Sequence, residues 1–85
     1  MKAPTRRTLD TLADGQTQVI ADVRAPDAVP EWTRWLEEIG FLPGEPVTVL
    51  TRARPGGDPL VVRIGLSTFA LRRAEAACIG VAAAP

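Results

Sequence analysis

The stretch GFLPGEP, residues 40–46, can be crossed neither by a continuous helix nor by a continuous strand. Gly40 suits the left-handed position that closes a helix, Pro43 has no backbone donor, and Pro43-Gly44 has the residue types of the central pair of a type II turn. Whatever precedes this stretch ends there, and whatever follows starts afresh. The flanks have different periods. Upstream, in VPEWTRWLEEIG, Trp32, Trp35, Leu36 and Ile39 fall at i, i+3, i+4 and i+7, while Thr33, Arg34, Glu37 and Glu38 take the other side. That is one apolar face of a 3.6-residue period. Pro30 suits the first helical position, and Glu31 places negative charge at the helix's positive end. The pattern predicts an amphipathic helix over about residues 30–39, closed by Gly40, with its two tryptophans lying over the core as a lid. Downstream, in PVTVLTRA, Val47 and Val49 share one face and Thr48 and Leu50 the other, which predicts a strand over about residues 46–53.

The rest of the chain is punctuated in the same way. Leu9 and Leu12 are expected to anchor the first segment to the core, and Asp14-Gly15 is a turn pair. The β-branched run through Val19, Ile20 and Val23 predicts a strand over about residues 16–24. Val19 and Ile20 are adjacent, so this strand carries a bulge or is buried on both faces. Pro55-Gly56-Gly57-Asp58-Pro59 reads as a hairpin loop, with glycine supplying positive φ and Pro59 tolerated only at the start of the return strand. A phosphate-binding reading of these glycines fails, because no lysine followed by serine or threonine, and no helix, comes after them. A tight turn at Gly65-Leu66-Ser67, a strand over 68–71, a helical turn near 73–77 and a closing strand over 78–81 complete the count. Residues 1–7 read as a flexible basic leader, 8–82 as the domain and 83–85 as a tail. Five short strands and one helix in 85 residues predict a mainly β chain, folded as a small barrel whose closure removes exposed edges.

Composition removes several functions. Ten Lys plus Arg balance ten Asp plus Glu, so no summed field draws in a phosphate backbone, and no nucleic-acid partner is expected. There is no histidine, and the one cysteine, Cys78, sits in the apolar AACIGV. It has no internal disulfide partner, which fits a reducing compartment, and it is expected to be buried and unreactive. Glu37 and Glu38 are adjacent on a helix and point apart, so no metal site is expected. Ser67 has no recognisable base, so neither catalysis nor a cofactor is expected. No apolar run approaches the roughly 18 residues of a membrane span, and the start lacks a signal-peptide core, so the cytoplasm is the expected location. Arg72 and Arg73 stand together, and the plainer expectation is that one pairs with Glu75 while the other stays solvated.

LEEIGFLPGEPVTVL, GGDPLVVRIG and ALRRAEAACIGV, in that order, resemble the ferrous iron transport protein A (FeoA) family. The matching positions are Leu36, Ile39, Gly40, Phe41, Pro43, Gly44 and Val47, then Gly57, Asp58 and Pro59, then Ala70, Leu71, Arg72, Glu75, Ala76, Ile79 and Val81. The resemblance runs over about residues 9–82. It implies an SH3-like barrel in the bacterial cytoplasm that serves, as an accessory or regulatory protein, a ferrous-iron permease of the FeoB type with a GTP-binding domain. On that reading Leu42, Phe69, Arg72 and Arg73 are the candidate partner-binding residues on the barrel rim. Trp32, Trp35, Leu36, Ile39, Gly40, Pro43, Gly44, Gly57 and Pro59 are structural. Two alternatives stay open: an arginine supplied in trans to accelerate GTP hydrolysis, and a general SH3-like binding module, nucleic acid included. A similar barrel is the last domain of iron-dependent repressors, but 85 residues leave no room for the domains expected before it.

Overall fold

The break after the first helix is built from two local motifs. In the computed structural model, which describes residues 6–83, helix α1 (Glu31–Glu38) is followed by Gly40 at φ +119°. The Gly40 N–H donates to the Glu37 carbonyl at 3.1 Å and the Phe41 N–H to the Leu36 carbonyl at 3.0 Å, the bond pair of a Schellman cap. Leu36 and Phe41 are both fully buried, so the cap also delivers two core residues. Next, the Glu45 N–H donates to the Leu42 carbonyl at 3.1 Å, with Gly44 at φ +91°, as a type II turn on Pro43-Gly44 requires. This turn is stitched to strand β1 (Thr17–Val23): the Gly44 N–H reaches the Ile20 carbonyl at 2.8 Å, and the Ile20 N–H reaches the Glu45 carbonyl at 2.9 Å. The break therefore fixes where strand β2 (Pro46–Arg52) begins against β1.

Strands β3 (Leu60–Ile64), β4 (Ser67–Leu71) and β5 (Ile79–Ala82), with helix α2 (Arg73–Ala76) between the last two, complete one antiparallel sheet in the order β4-β3-β2-β1-β5. This is the mainly β, SH3-like architecture expected from the sequence. The β2–β3 loop is closed by the Gly57 N–H on the Ala53 carbonyl at 2.8 Å, with Gly57 at φ +74°. In β1 the register shifts between Ile20 and Asp22, which selects the bulge over a strand buried on both faces. Leu9, Leu12, Ile20, Phe41, Val47, Val49, Leu60, Val62, Leu71 and Ile79 form the centre of the core.

Three expectations are corrected. Of the helix face, Leu36 alone is buried; Trp32 and Ile39 pack partly against the core, and Trp35 is 40% exposed. The helix docks with Leu36 at its centre, and Trp35, roughly 100° away around the axis, falls at the edge of the stripe. The sheet also does not close, because β4 and β5 are not neighbours. Helix α2 spans the gap and packs against a 3-10 turn at Leu9–Thr11, which buries Leu9 and leads to the buried Leu12. Arg6 and Arg7, assigned to the leader by the sequence, are joined to the sheet, since the Val81 N–H donates to the Arg7 carbonyl at 3.0 Å and Arg6 pairs with Asp22. Residues 1–5 and 84–85 lie outside the described residues.

Candidate partner-binding surface

The β4–α2 junction determines what Arg72 and Arg73 can do. Arg72 is extended at φ −68° and ψ 153° and caps α2. An arginine side chain has no acceptor to offer the helix amides, so carboxylates take over the capping. Glu75 Oε1 accepts from the Arg72 N–H at 2.8 Å, and Asp58 Oδ1 accepts from the Arg73 N–H at 3.1 Å. The expected Arg–Glu75 side-chain pair is thus replaced by carboxylate–backbone bonds. Among the described residues neither guanidinium forms an ion pair, and both side chains are exposed. A shallow groove lined by Asp58, Pro59, Ala70 and Arg72 runs beside them.

The other two candidates belong to a second group. Phe69 is half-buried, its ring 5.9 Å from Phe41 and tilted by 53°. Leu42, next to Phe41 on the Pro-Gly turn, is 44% exposed. The structure thus brings Phe69 to Leu42's chain neighbour and places the two arginines at the far end of β4. Trp35 is a further exposed aromatic that the helical periodicity assigned to the core.

A cluster absent from the sequence reading joins both ends of the chain. Arg6 donates through Nε to Asp22 Oδ1 at 2.9 Å, through its terminal nitrogen to the same oxygen, and also to the Cys78 carbonyl at 2.9 Å. Arg24 lies 3.5 Å from the other Asp22 oxygen. Hydrogen bonding from Arg6 holds the Asp22 carboxyl below the usual carboxylate range, against the opposing effect of partial burial, with the charges of Arg6 and Arg24 assisting. Gly80 lies beneath this group; a Cβ there would come within 3.0 Å of Arg6 Nε and of Asp22 Cγ. The glycine in CIGV was its only trace in the sequence.

Burial pushes the Cys78 thiol up, with Glu75 adding to the effect and Arg6 opposing it, and Sγ donates to the Ala74 carbonyl at 3.4 Å. The thiol is buried, as AACIGV predicted. The recess between Asp14 and loop 52–57 holds Arg52, which spends its donors on the Asp10 carbonyl at 2.9 Å and on that of Leu12. Among the described residues no three His, Cys, Asp or Glu side chains converge as a metal site would require. No helix among them is long and apolar enough to cross a membrane.

The chain matches the family model of the FeoA domain over residues 7–83. Stenotrophomonas maltophilia FeoA, solved in complex with zinc, is 36% identical over 89% of this chain and 89% of its own, with a TM-score of 0.81. Chlorobium tepidum FeoA is 33% identical over 88% of this chain and 68% of its own, with a TM-score of 0.74. A manganese-dependent transcriptional repressor in complex with manganese is 28% identical over 98% of this chain, with a TM-score of 0.76, but only 39% of the repressor is covered. No curated protein matches the chain.

Proposed function

The chain belongs to the FeoA family, and from that membership we propose that it docks, as an accessory or regulatory protein, on a membrane ferrous-iron permease with a GTP-binding domain. Members of the family are small SH3-like proteins implicated in ferrous iron transport. The observation that carries the proposal further is the state of Arg72 and Arg73: their nearest carboxylates are committed to backbone donors, which leaves two exposed cations on a fixed helix start. Arginine is among the residues enriched in interface hot spots, and Phe69 and the exposed Leu42 form a second, apolar group that the same partner would cover. Docking on the nucleotide domain keeps the protein on the cytoplasmic face and requires no cofactor of its own.

Direct binding of the purified protein to the solubilised permease of the same organism, with and without GTP, tests this. Saturable binding weakened by Leu42→Asp and by the double change Arg72→Ala/Arg73→Ala is expected; no binding in either nucleotide state ends the reading. The same two arginines favour a second one, in which one of them stabilises charge developing during GTP hydrolysis. It predicts that the double variant still binds at saturating concentration but loses the rate effect, and an unchanged GTPase rate removes it.

A further inference from the structure

The open sheet has two outer strands, and β4 is bare. The two-residue turn at Gly65-Leu66 makes Ile64 and Ser67 the hydrogen-bonded pair at the hairpin end. Antiparallel alternation then makes Arg63–Thr68 and Val61–Ala70 the non-bonded pairs. The N–H and C=O groups of Thr68 and Ala70 therefore point away from β3, and among the described residues no backbone group meets them. The strand, Ser67-Thr68-Phe69-Ala70-Leu71, carries no charge, no proline and no bulge, which are the devices that protect an edge.

We propose that β4 pairs with β4 of a second copy of this chain, antiparallel about a two-fold axis at Phe69. The outward-pointing groups fix the register: Thr68 exchanges hydrogen bonds with Ala70 of the second copy, and the whole strand overlaps. Phe69 then meets Phe69 of the second copy in a non-bonded pair, where facing side chains come closest, and the aromatic contact begun by Phe41 is extended. On the outer face, Leu66 comes level with Arg72 of the second copy. Leu66 is wholly exposed in the turn, and the position it reaches adjoins the groove of Asp58, Pro59, Ala70 and Arg72. The protruding leucine at one end of the edge and the groove at the other match only when the same strand runs back antiparallel. This is the self-complementarity of an isologous contact. No like charges face one another, because Arg72 meets a leucine. One short strand pair with two leucine contacts buries less than the roughly 1,600 Å² of a standard interface, so the dimer is weak and depends on concentration. This pairing goes beyond the permease reading and competes with it, because Phe69 and Arg72 serve both surfaces.

Sedimentation velocity and amide exchange of the full chain, from micromolar to millimolar concentration, test the pairing. The expected result is a rising sedimentation coefficient, with the Thr68 and Ala70 amides gaining protection while Val81 stays constant. Leu66→Asp and Thr68→Lys, both at exposed positions, should each weaken self-association about tenfold or more with an unchanged unfolding midpoint. A monomer at millimolar concentration overturns the proposal, and so does a dimer that neither variant weakens or one in which the Thr68 and Ala70 amides stay unprotected.

Discussion

Strands β4 and β5 are both outermost in the sheet, yet only one of them is covered. Along β5, Thr8 bridges Gly80, the Val81 N–H reaches the Arg7 carbonyl, and Arg6 reaches over Gly80 to Asp22 and the Cys78 carbonyl. Along β4 nothing in the described chain does the same. The difference shows that an open sheet in so small a domain guards an edge only where passing chain is available to lie on it. Residues 6–8 run beside β5 on their way to the buried Leu9, whereas β4 is flanked only by the tight turn and by α2. Coverage here follows from the path of the chain rather than from the composition of the strand.

The largest test of this comparison removes what holds β4 from below. Phe41 is fully buried and carries the ring of Phe69, so Phe41→Ala should cost about 3–5 kcal/mol by transfer and cavity terms, read from the urea midpoint. Hydrogen exchange at Phe69 should accelerate at least as much as at Val81; the reverse order would show that β4 does not depend on this contact. A smaller effect is expected at the other edge. Gly80→Ala forces a methyl group into the Arg6–Asp22 pair and should cost about 1–3 kcal/mol, with the protection of the Val81 amide falling while β4 is unaffected. Loss spread evenly over both edges would break the comparison.

Proline substitution then isolates the hydrogen bonds themselves. Val81→Pro removes a donor used by Arg7 at 3.0 Å, whereas Ala70→Pro removes one that has no partner within the described chain. Val81 is also a buried core side chain, so its proline variant is compared with Val81→Ala; the cost beyond that reference should exceed the cost of Ala70→Pro by about 1 kcal/mol in dilute protein, which approximates one backbone bond. Equal costs would mean that the β5 edge gains nothing from its cover.

How much of this was legible depends on how local each feature is. The Schellman cap at Gly40, the type II turn at Pro43-Gly44 and the loop at Gly57 rest on backbone conformations that glycine and proline announce, and all three form as read. The helix stripe was visible but not its rotation: the spacing of Trp32, Trp35, Leu36 and Ile39 defines an arc, and tertiary docking decides that Trp35 lies at its edge. The fate of Arg72 and Arg73 was hidden because Glu75 can serve either a guanidinium or an amide, and the choice follows from where α2 starts. The Arg6–Asp22–Gly80 cluster joins three distant segments, and neither periodicity nor punctuation records such a contact. Of the four candidate partner residues, exposure could be anticipated for Leu42 and the arginines, but not the division of the four into two groups.

Asp22 gives the smallest and most specific test of the covered edge. Its carboxyl titrates lower in the folded chain than in the unfolded one, chiefly through the Arg6 hydrogen bonds. The unfolded state therefore binds the proton first as the pH falls, and stability must rise with pH across the interval between the two values. The contribution is fully present above the ordinary carboxylate value of about 4 and is lost as the pH drops below it towards the folded value. The two side chains are 31% and 33% exposed, so solvent screening limits the pair to about 0.5 kcal/mol. In urea titrations between neutral and acid pH, Asp22→Asn should lower stability at neutral pH by that amount and converge with the unaltered chain in acid. If the two curves stay parallel, the cover on β5 is held by the bond from the Val81 N–H to the Arg7 carbonyl, and the ion pair above Gly80 merely accompanies it.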